Sequence, residues 1–374
     1  MKRIALLVAA TLMAAMAVAQ TAEQLVGQLK QNLAPDKRTA LWDVQATRQG
    51  GTITLTGTVS STELKNELDK AFAGQKVVNN VKALDQSQPA DKRWALVKLA
   101  VASLRCDAKH SAEMATQAVM GTPVKVLDSQ GDWLRVQMPD DYIAWMPESS
   151  ITFRTAAQMQ QWRKARRCVV TVNQTTLFAD TCTGEAVSDL VLSNILEYKG
   201  VDHNWWVRLA TPDGREGWVY ATDVKDFDEW KQQPLDMELV EHTARSMMGC
   251  GYLWGGTSTK VTDCSGLTKV SYLANGIILQ RDASQQALTG KKISDWHQCT
   301  LGDLLFFGNS TTGRVTHVGM YLRDGKYIHC SGQVKINSLD PSASDYLYSP
   351  LSISRIQGQI GTRGITAVAN HPWY

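Results

Sequence analysis

The chain has 374 residues, enough for two to four domains at roughly 100–200 residues each. Hydrophobic residues make up 44% and charged residues 20%, a globular composition that excludes a disordered chain. The 39 basic and 36 acidic residues nearly cancel, which excludes the strongly basic footprint of a nucleic-acid binder. At the N-terminus Lys2 and Arg3 precede an apolar run that ends in Ala17-Val18-Ala19, the pattern of a cleaved export signal over 1–19. The run is shorter than the ~20 apolar residues of a membrane span. An exported protein, periplasmic or extracellular and without stable membrane insertion, is the expectation. Of the seven cysteines, Cys106, Cys168, Cys182, Cys250, Cys264, Cys299 and Cys330, six could form three disulfides, leaving one to examine as a reactive thiol. Cys168 and Cys182 are close enough in sequence to bridge.

Ile53, Leu55, Gly57 and Val59 alternate with threonines and predict a half-buried strand. Ser60-Ser61-Thr62-Glu63 then opens a helix through Leu64, Leu68 and Phe72, and a second strand is expected from Val77 to Leu84. This small β-α-β unit resembles a BON domain in G-G-T-I-T-L-T-G-T-V-S-S and V-V-N-N-V. A linker, Q-S-Q-P-A-D, follows.

The middle of the chain repeats itself. Counted from Trp133 and from Trp206, arginine recurs at +2 (Arg135, Arg208), proline at +6 (Pro139, Pro212), aspartate at +7 (Asp140, Asp213) and tryptophan at +12 (Trp145, Trp218). Each copy reads as two short strands around a Pro-Asp turn, and many short strands with periodic aromatics imply a small β-barrel. The copies resemble bacterial SH3-like domains, for example in T-P-V-K-V-L-D-S-Q-G-D-W-L-R-V. Most of the tryptophans are expected to fill the two cores. The polar segment A-A-Q-M-Q-Q-W-R-K-A-R-R between the copies is helical, with a solvated basic end.

From about Asp236 the texture becomes helix, glycine-rich loop, helix and then strands, the order of an α+β domain. Thr262-Asp263-Cys264-Ser265-Gly266 precedes Leu267, Val270, Ser271 and Ala274 at helical spacing, with Thr262 or Asp263 able to cap. Cys264 then sits in the first helical turn, where the dipole and free N–H groups favour a thiolate. Thr316–Leu322 and Lys326–Ser331 alternate as strands of a hairpin. A two-residue Asp-Gly loop would put His317 and His329 on opposite faces. A three-residue loop with Gly325 at positive φ sets Met320 opposite Ile328 and gathers both histidines on one face as diagonal neighbours. That register also groups the apolar residues, so it is the one predicted. His317 then takes the thiol proton and His329 holds its second nitrogen. No paired metal spacing is present, and neither metal nor cofactor is expected.

G-Y-L-W-G-G-T-S, T-D-C-S-G-L, R-D-A-S-Q-Q, L-G-D-L-L-F-F-G, T-H-V-G-M-Y and Y-I-H-C-S-G occur in that order over the last 130 residues or so. Together they resemble the NlpC-type cell-wall cysteine peptidases, relatives of papain. The resemblance implies Cys264 as nucleophile, His317 as base, His329 as orienting residue and Tyr252 as an oxyanion donor beside the Cys264 N–H. It also implies that Asp263, Ser265, Arg281 and Asp282 line the substrate cleft, although Arg281-Asp282 could equally be a surface ion pair. The family often has serine directly after that aspartate; here Ala283 intervenes before Ser284.

With two SH3-like domains upstream, the chain is similar to the subgroup that cleaves γ-D-glutamyl–diamino acid bonds of murein peptides. In that subgroup the first barrel narrows the cleft and a tyrosine meets the peptide N-terminus, a position that Tyr142 fits. The fold expected is multidomain α+β: a signal peptide (1–19), a BON-like α/β module (20–86), an SH3-like domain (87–153), a linker helix (154–167), a second SH3-like domain (168–228) and a papain-like domain (229–374). The function expected is hydrolysis, by a monomer, of murein peptides bearing a free N-terminal L-Ala. The alternatives are a D,L-endopeptidase or amidase acting on intact wall, and a wall-binding protein with an inactive peptidase fold.

Overall fold

The computed structural model describes residues 21–202 and 205–374, so the expected export signal lies outside the described residues. Contacts divide the chain after Gln88. In the first unit a helix, Ala22–Leu33, precedes the antiparallel pair Trp42–Gln49 and Thr52–Val59. The helix Thr62–Ala71, capped by Ser61, then returns the chain to Val77–Asn79 and Lys82–Ala83, both parallel to Thr52–Val59. The single strand expected over 77–84 is therefore two short ones. Ile53, Leu55 and Val59 bury against Leu68 and Phe72. Gly57, on the same side, has φ 116°, and a Cβ there would meet the Asp43 carbonyl oxygen at 1.9 Å, so no side chain fits.

The second unit holds two seven-stranded antiparallel sheets and the catalytic-type domain. The first sheet runs Ile151–Arg154, Trp94–Val97, Pro123–Gln130, Trp133–Gln137, Ile143–Pro147, Val101–Arg105, Met114–Val119. The second runs Val224–Asp226, Arg167–Val170, Ile195–Asp202, Trp206–Ala210, Glu216–Tyr220, Gln174–Phe178, Ala186–Val191. Ranked along the chain, both read seventh, first, fourth, fifth, sixth, second, third, so the sequence repeat is a repeat of topology. Its +2 and +12 positions face each other across neighbouring strands: Arg135 pairs with Trp145 and Arg208 with Trp218. The guanidinium lies 4.5 Å from the ring centroid in the first copy and 5.9 Å in the second. The repeated tryptophans at +12 are thus platforms for a repeated cation as well as packing groups. The helix between the copies is Ala156–Lys164, closed at its start by a Thr155–Gln158 capping box.

In the C-terminal domain a six-stranded antiparallel sheet is ordered Lys291–Ile293, Ser352–Arg355, Leu304–Asn309, Arg314–Tyr321, Lys326–Ser331, Gln333–Ser338. Its Leu304, Phe306, Val318, Met320 and Ile328 side pack on the helices Met237–Ser246 and Cys264–Leu273. Leu305, Phe307, Tyr321 and Tyr327 form a second cluster. Cys168 is buried in a strand of the second barrel-like sheet while Cys182 is exposed on a loop, and both are free thiols, so the suggested bridge does not form.

Candidate active site

Two glycines, Gly256 and Gly266, let a loop close over the start of the helix Cys264–Leu273. A Cβ on Gly266 would lie 2.0 Å from the Gly256 carbonyl oxygen, and one on Gly256 would lie 2.8 Å from Thr262 Cα. The glycines of the W-G-G and C-S-G motifs are therefore required by close backbone approach. Asp263 is the N-cap: its Oδ1 accepts from the Gly266 N–H at 2.7 Å, and its Oδ2 accepts from the Gly255 N–H at 2.9 Å.

Asp263 also forms a two-pronged pair with Arg281, at 2.6 and 3.2 Å, and both residues are buried. Arg281 donates further to Ser265 Oγ at 3.0 Å and to Thr116 Oγ1 at 2.9 Å. Arg281 thus pairs with Asp263 and is far from being a surface group. The three residues Asp263, Ser265 and Arg281 form one buried polar frame beneath Cys264. Asp282 instead accepts from the Tyr142 hydroxyl at 3.2 Å, across the junction with the first SH3-like domain. Ser284 lies half-buried in the short helix Ala283–Gln286 that follows.

The hairpin has the three-residue loop. Leu322 and Lys326 close it, Met320 faces Ile328, and Gly325 has φ 68°. Asp324 also takes a left-handed φ of 54°. Gly319 is the direct partner of His329, so His317, two residues earlier, is its diagonal neighbour. Their ring nitrogens, His317 Nε2 and His329 Nδ1, are 2.7 Å apart. A Cβ on Gly319 would stand 2.8 Å from the Tyr327 ring and 3.2 Å from His329 Cβ, so glycine is what lets the second histidine lean over.

The sequence reading missed Asn337. Lys335 is the direct partner of His329 on the other side, and Asn337, two residues on, is again a diagonal neighbour. The tight turn after Ser331 would have revealed it, had the same face rule been carried one strand further. His329 Nε2 lies 2.8 Å from Asn337 Oδ1, and the Asn337 amide NH2 donates to the Asp345 carbonyl. That second bond fixes the amide orientation and, with it, every proton in the chain. Asn337 presents an acceptor, so His329 Nε2 carries hydrogen and its Nδ1 accepts. His317 Nε2 is then the donor, and His317 Nδ1 is left with the lone pair of a base.

Burial sets the charge states. The Cys264 thiol is pushed up to about 11, mainly by burial and then by the Asp263 carboxylate; the Val318 and Ser265 N–H groups oppose this. Burial and the adjacent capping carboxylate thus work against the thiolate that the helix start was expected to favour. The Val318 contact sets the sulfur at the residue after His317. Burial, with His329 next, holds the His317 imidazole down to about 4. Tyr252 is half-buried, and burial followed by the charges of Cys264 and Asp263 raises its hydroxyl, which stays a hydrogen-bond donor. Among the described residues no group of three or more His, Cys, Asp or Glu is arranged to hold a metal ion.

A protonated thiol, a neutral imidazole with its tautomer fixed and a hydroxyl beside them can transfer one proton to make a thiolate–imidazolium pair. Residues 249–351 match the NlpC/P60 family, and residues 104–151 match the bacterial dipeptidyl-peptidase SH3 domain. The C-terminal domain belongs to the NlpC/P60 family of cysteine peptidases. Among its relatives, the γ-D-glutamyl-L-lysine dipeptidyl-peptidase of Bacillus cereus is 29% identical over 234 residues, 58% of this chain and 67% of the relative. Dipeptidyl-peptidase 6 of Lysinibacillus sphaericus is 29% identical over 260 residues, 66% of this chain and 92% of the relative. The crystal structure of an NlpC/P60 family protein from Bacillus cereus shares the fold, with a TM-score of 0.62 at 23% identity over 70% of this chain and 99% of that one. The SH3-like match and the peptidase match meet at the Tyr142–Asp282 contact.

Proposed function

We propose that this cell-wall cysteine peptidase hydrolyses the γ-D-glutamyl–diamino acid bond of murein peptides carrying a free N-terminal L-Ala. Cys264 loses its proton to His317 and attacks the γ-carbonyl carbon. The Cys264 N–H and the Tyr252 hydroxyl hold the oxygen that becomes negative. His317 then returns the proton to the diamino acid's amine as the C–N bond breaks, and water hydrolyses the Cys264 thioester. The relatives named as γ-D-glutamyl-L-lysine dipeptidyl-peptidases support this substrate class.

The observation that carries the finer reading is the Tyr142 hydroxyl on the Asp282 carboxylate at 3.2 Å. On this reading the first SH3-like domain closes one end of the cleft, with a carboxylate and a phenol there. An N-terminal ammonium bound between them gains charge-assisted hydrogen bonds. An amide at that position lacks the charge, and a muramic acid would need the space the domain occupies. The comparison to make is L-Ala-γ-D-Glu-diamino acid tripeptide against the same peptide N-acetylated. A strong preference for the free amine is expected; equal rates would refute the free-end requirement. The basic start and apolar run of residues 1–19 support export, so the reading places this activity, in a monomer, outside the cytoplasm.

A further inference from the structure

The ladder between Lys326–Ser331 and Gln333–Ser338 sets Lys335 directly opposite His329. Directly opposed residues of an antiparallel pair project to the same face, with Cβ atoms about 5 Å apart. Lys335 therefore shares a face with both histidines, one strand beyond His329. It is half-buried, and its ammonium has no hydrogen bond or ion pair with any described residue. By contrast Lys326, on the neighbouring strand, holds Asp345 at 3.2 Å, and Lys269 holds Asp140 at 2.6 Å. The Lys335 charge also acts on His329 and His317, the two groups on that face.

The reaction brings a negative charge to this place. His317 gives its proton to the leaving amine, so that amine comes within hydrogen-bond reach of His317. In a peptide that ends at the diamino acid, the free α-carboxylate carbon is two bonds from that same nitrogen. We propose that Lys335 binds the α-carboxylate of the leaving diamino acid and so selects peptides that end at that residue. The inference rests on the functional reading above and adds a second end to it: the cleft recognises the charge at both termini of a short peptide. A longer stem, or one amidated at the diamino acid, offers a neutral amide and leaves the ammonium without its partner.

The test uses the full protein with L-Ala-γ-D-Glu-L-Lys and its C-terminal carboxamide. Lysine has a single carboxylate, so the α group alone is probed. The wild type should favour the acid by about tenfold or more in kcat/KM. Lys335→Met should bring the ratio of the two rates close to one, and Lys335→Arg should keep most of it. Any effect of the charge on the histidines, or of the substitution on folding, alters both rates together and cancels in the ratio. Equal wild-type rates, or an unchanged preference in Lys335→Met, would overturn the inference while leaving the functional reading intact. Failure of the wild type to cleave either peptide overturns both.

Discussion

At the scale of single residues, burial opposes charge on both Cys264 and His317. Cys264→Ala should lower turnover by about 10³-fold or more while thermal unfolding stays near that of the wild type, and His317→Ala should be about as severe, since nucleophile and base act as one unit. A folded alanine variant with a tenth of the activity would sink the assignment. The acid limb of kcat/KM should fall near pH 4, well below the ordinary histidine value of 6.5, because His317 has to be unprotonated to take the thiol proton. The same depression has a stability consequence. Between about 6.5 and about 4 the unfolded imidazole binds a proton that the folded one does not, so stability present above 6.5 is lost as the pH falls through that window. Denaturant titrations at pH 7 and pH 4 should show a smaller difference for His317→Ala than for the wild type. Asn337 offers a sharper check on the relay. Asn337→Leu removes the acceptor from His329 Nε2 and should cost about 10–100-fold in turnover, a second-neighbour effect like that of groups orienting a metal-bound histidine. Asn337→Asp keeps an acceptor, adds a negative charge and should move the acid limb upward; an unmoved limb would show that Asn337 does not govern the histidine pair.

At the scale of elements, the hairpin does the positioning. Its register brings His317, His329 and Asn337 into successive diagonal contacts across three strands, and Gly319 keeps the space between the first two open. Gly319→Ala should cost about 1–3 kcal/mol of stability from crowding against Tyr327, and should lower activity further by displacing His329. Normal activity in that variant would show that the second ring does not need its present position. This register was legible beforehand, because a one-residue slip would have scattered the apolar residues over both faces. Asn337 was not read, although it obeys the same rule, because an asparagine in a strand carries no chemical flag of its own.

At the scale of the whole chain, the first SH3-like domain is fastened to the peptidase domain by buried polar contacts. The Lys269 ammonium meets Asp140 Oδ2 at 2.6 Å and the Leu279 carbonyl at 2.7 Å. Gln117 Oε1 accepts from the Thr257 N–H at 2.8 Å and the Ser258 hydroxyl at 3.0 Å, and Arg281 reaches Thr116. Asp140→Ala leaves the Lys269 charge buried and unpaired, which should cost about 3–5 kcal/mol. Asp140→Leu combined with Lys269→Met should recover much of that loss. A single variant as stable as the wild type, by thermal unfolding, would mean that the pair is not buried in solution.

The sequence alone determined the repeat, the helix that opens at Cys264 and the histidine hairpin, because each follows from local periodicity, capping and turn chemistry. Tertiary structure alone decided what the polar residues of the motifs do. Asp140 and Asp213 hold the same place in the repeat, yet one is buried against Lys269 while the other binds Arg215 at 3.0 Å within its own domain. Arg281 could have been a cleft residue or half of a surface pair with Asp282; it became the buried partner of Asp263. The Cys264 thiol was expected to ionise at a helix start, and burial beside that same Asp263 works against it. In each case the deciding quantity is the desolvation of a charge and the partner that meets it, and both are set by which domain packs against the residue.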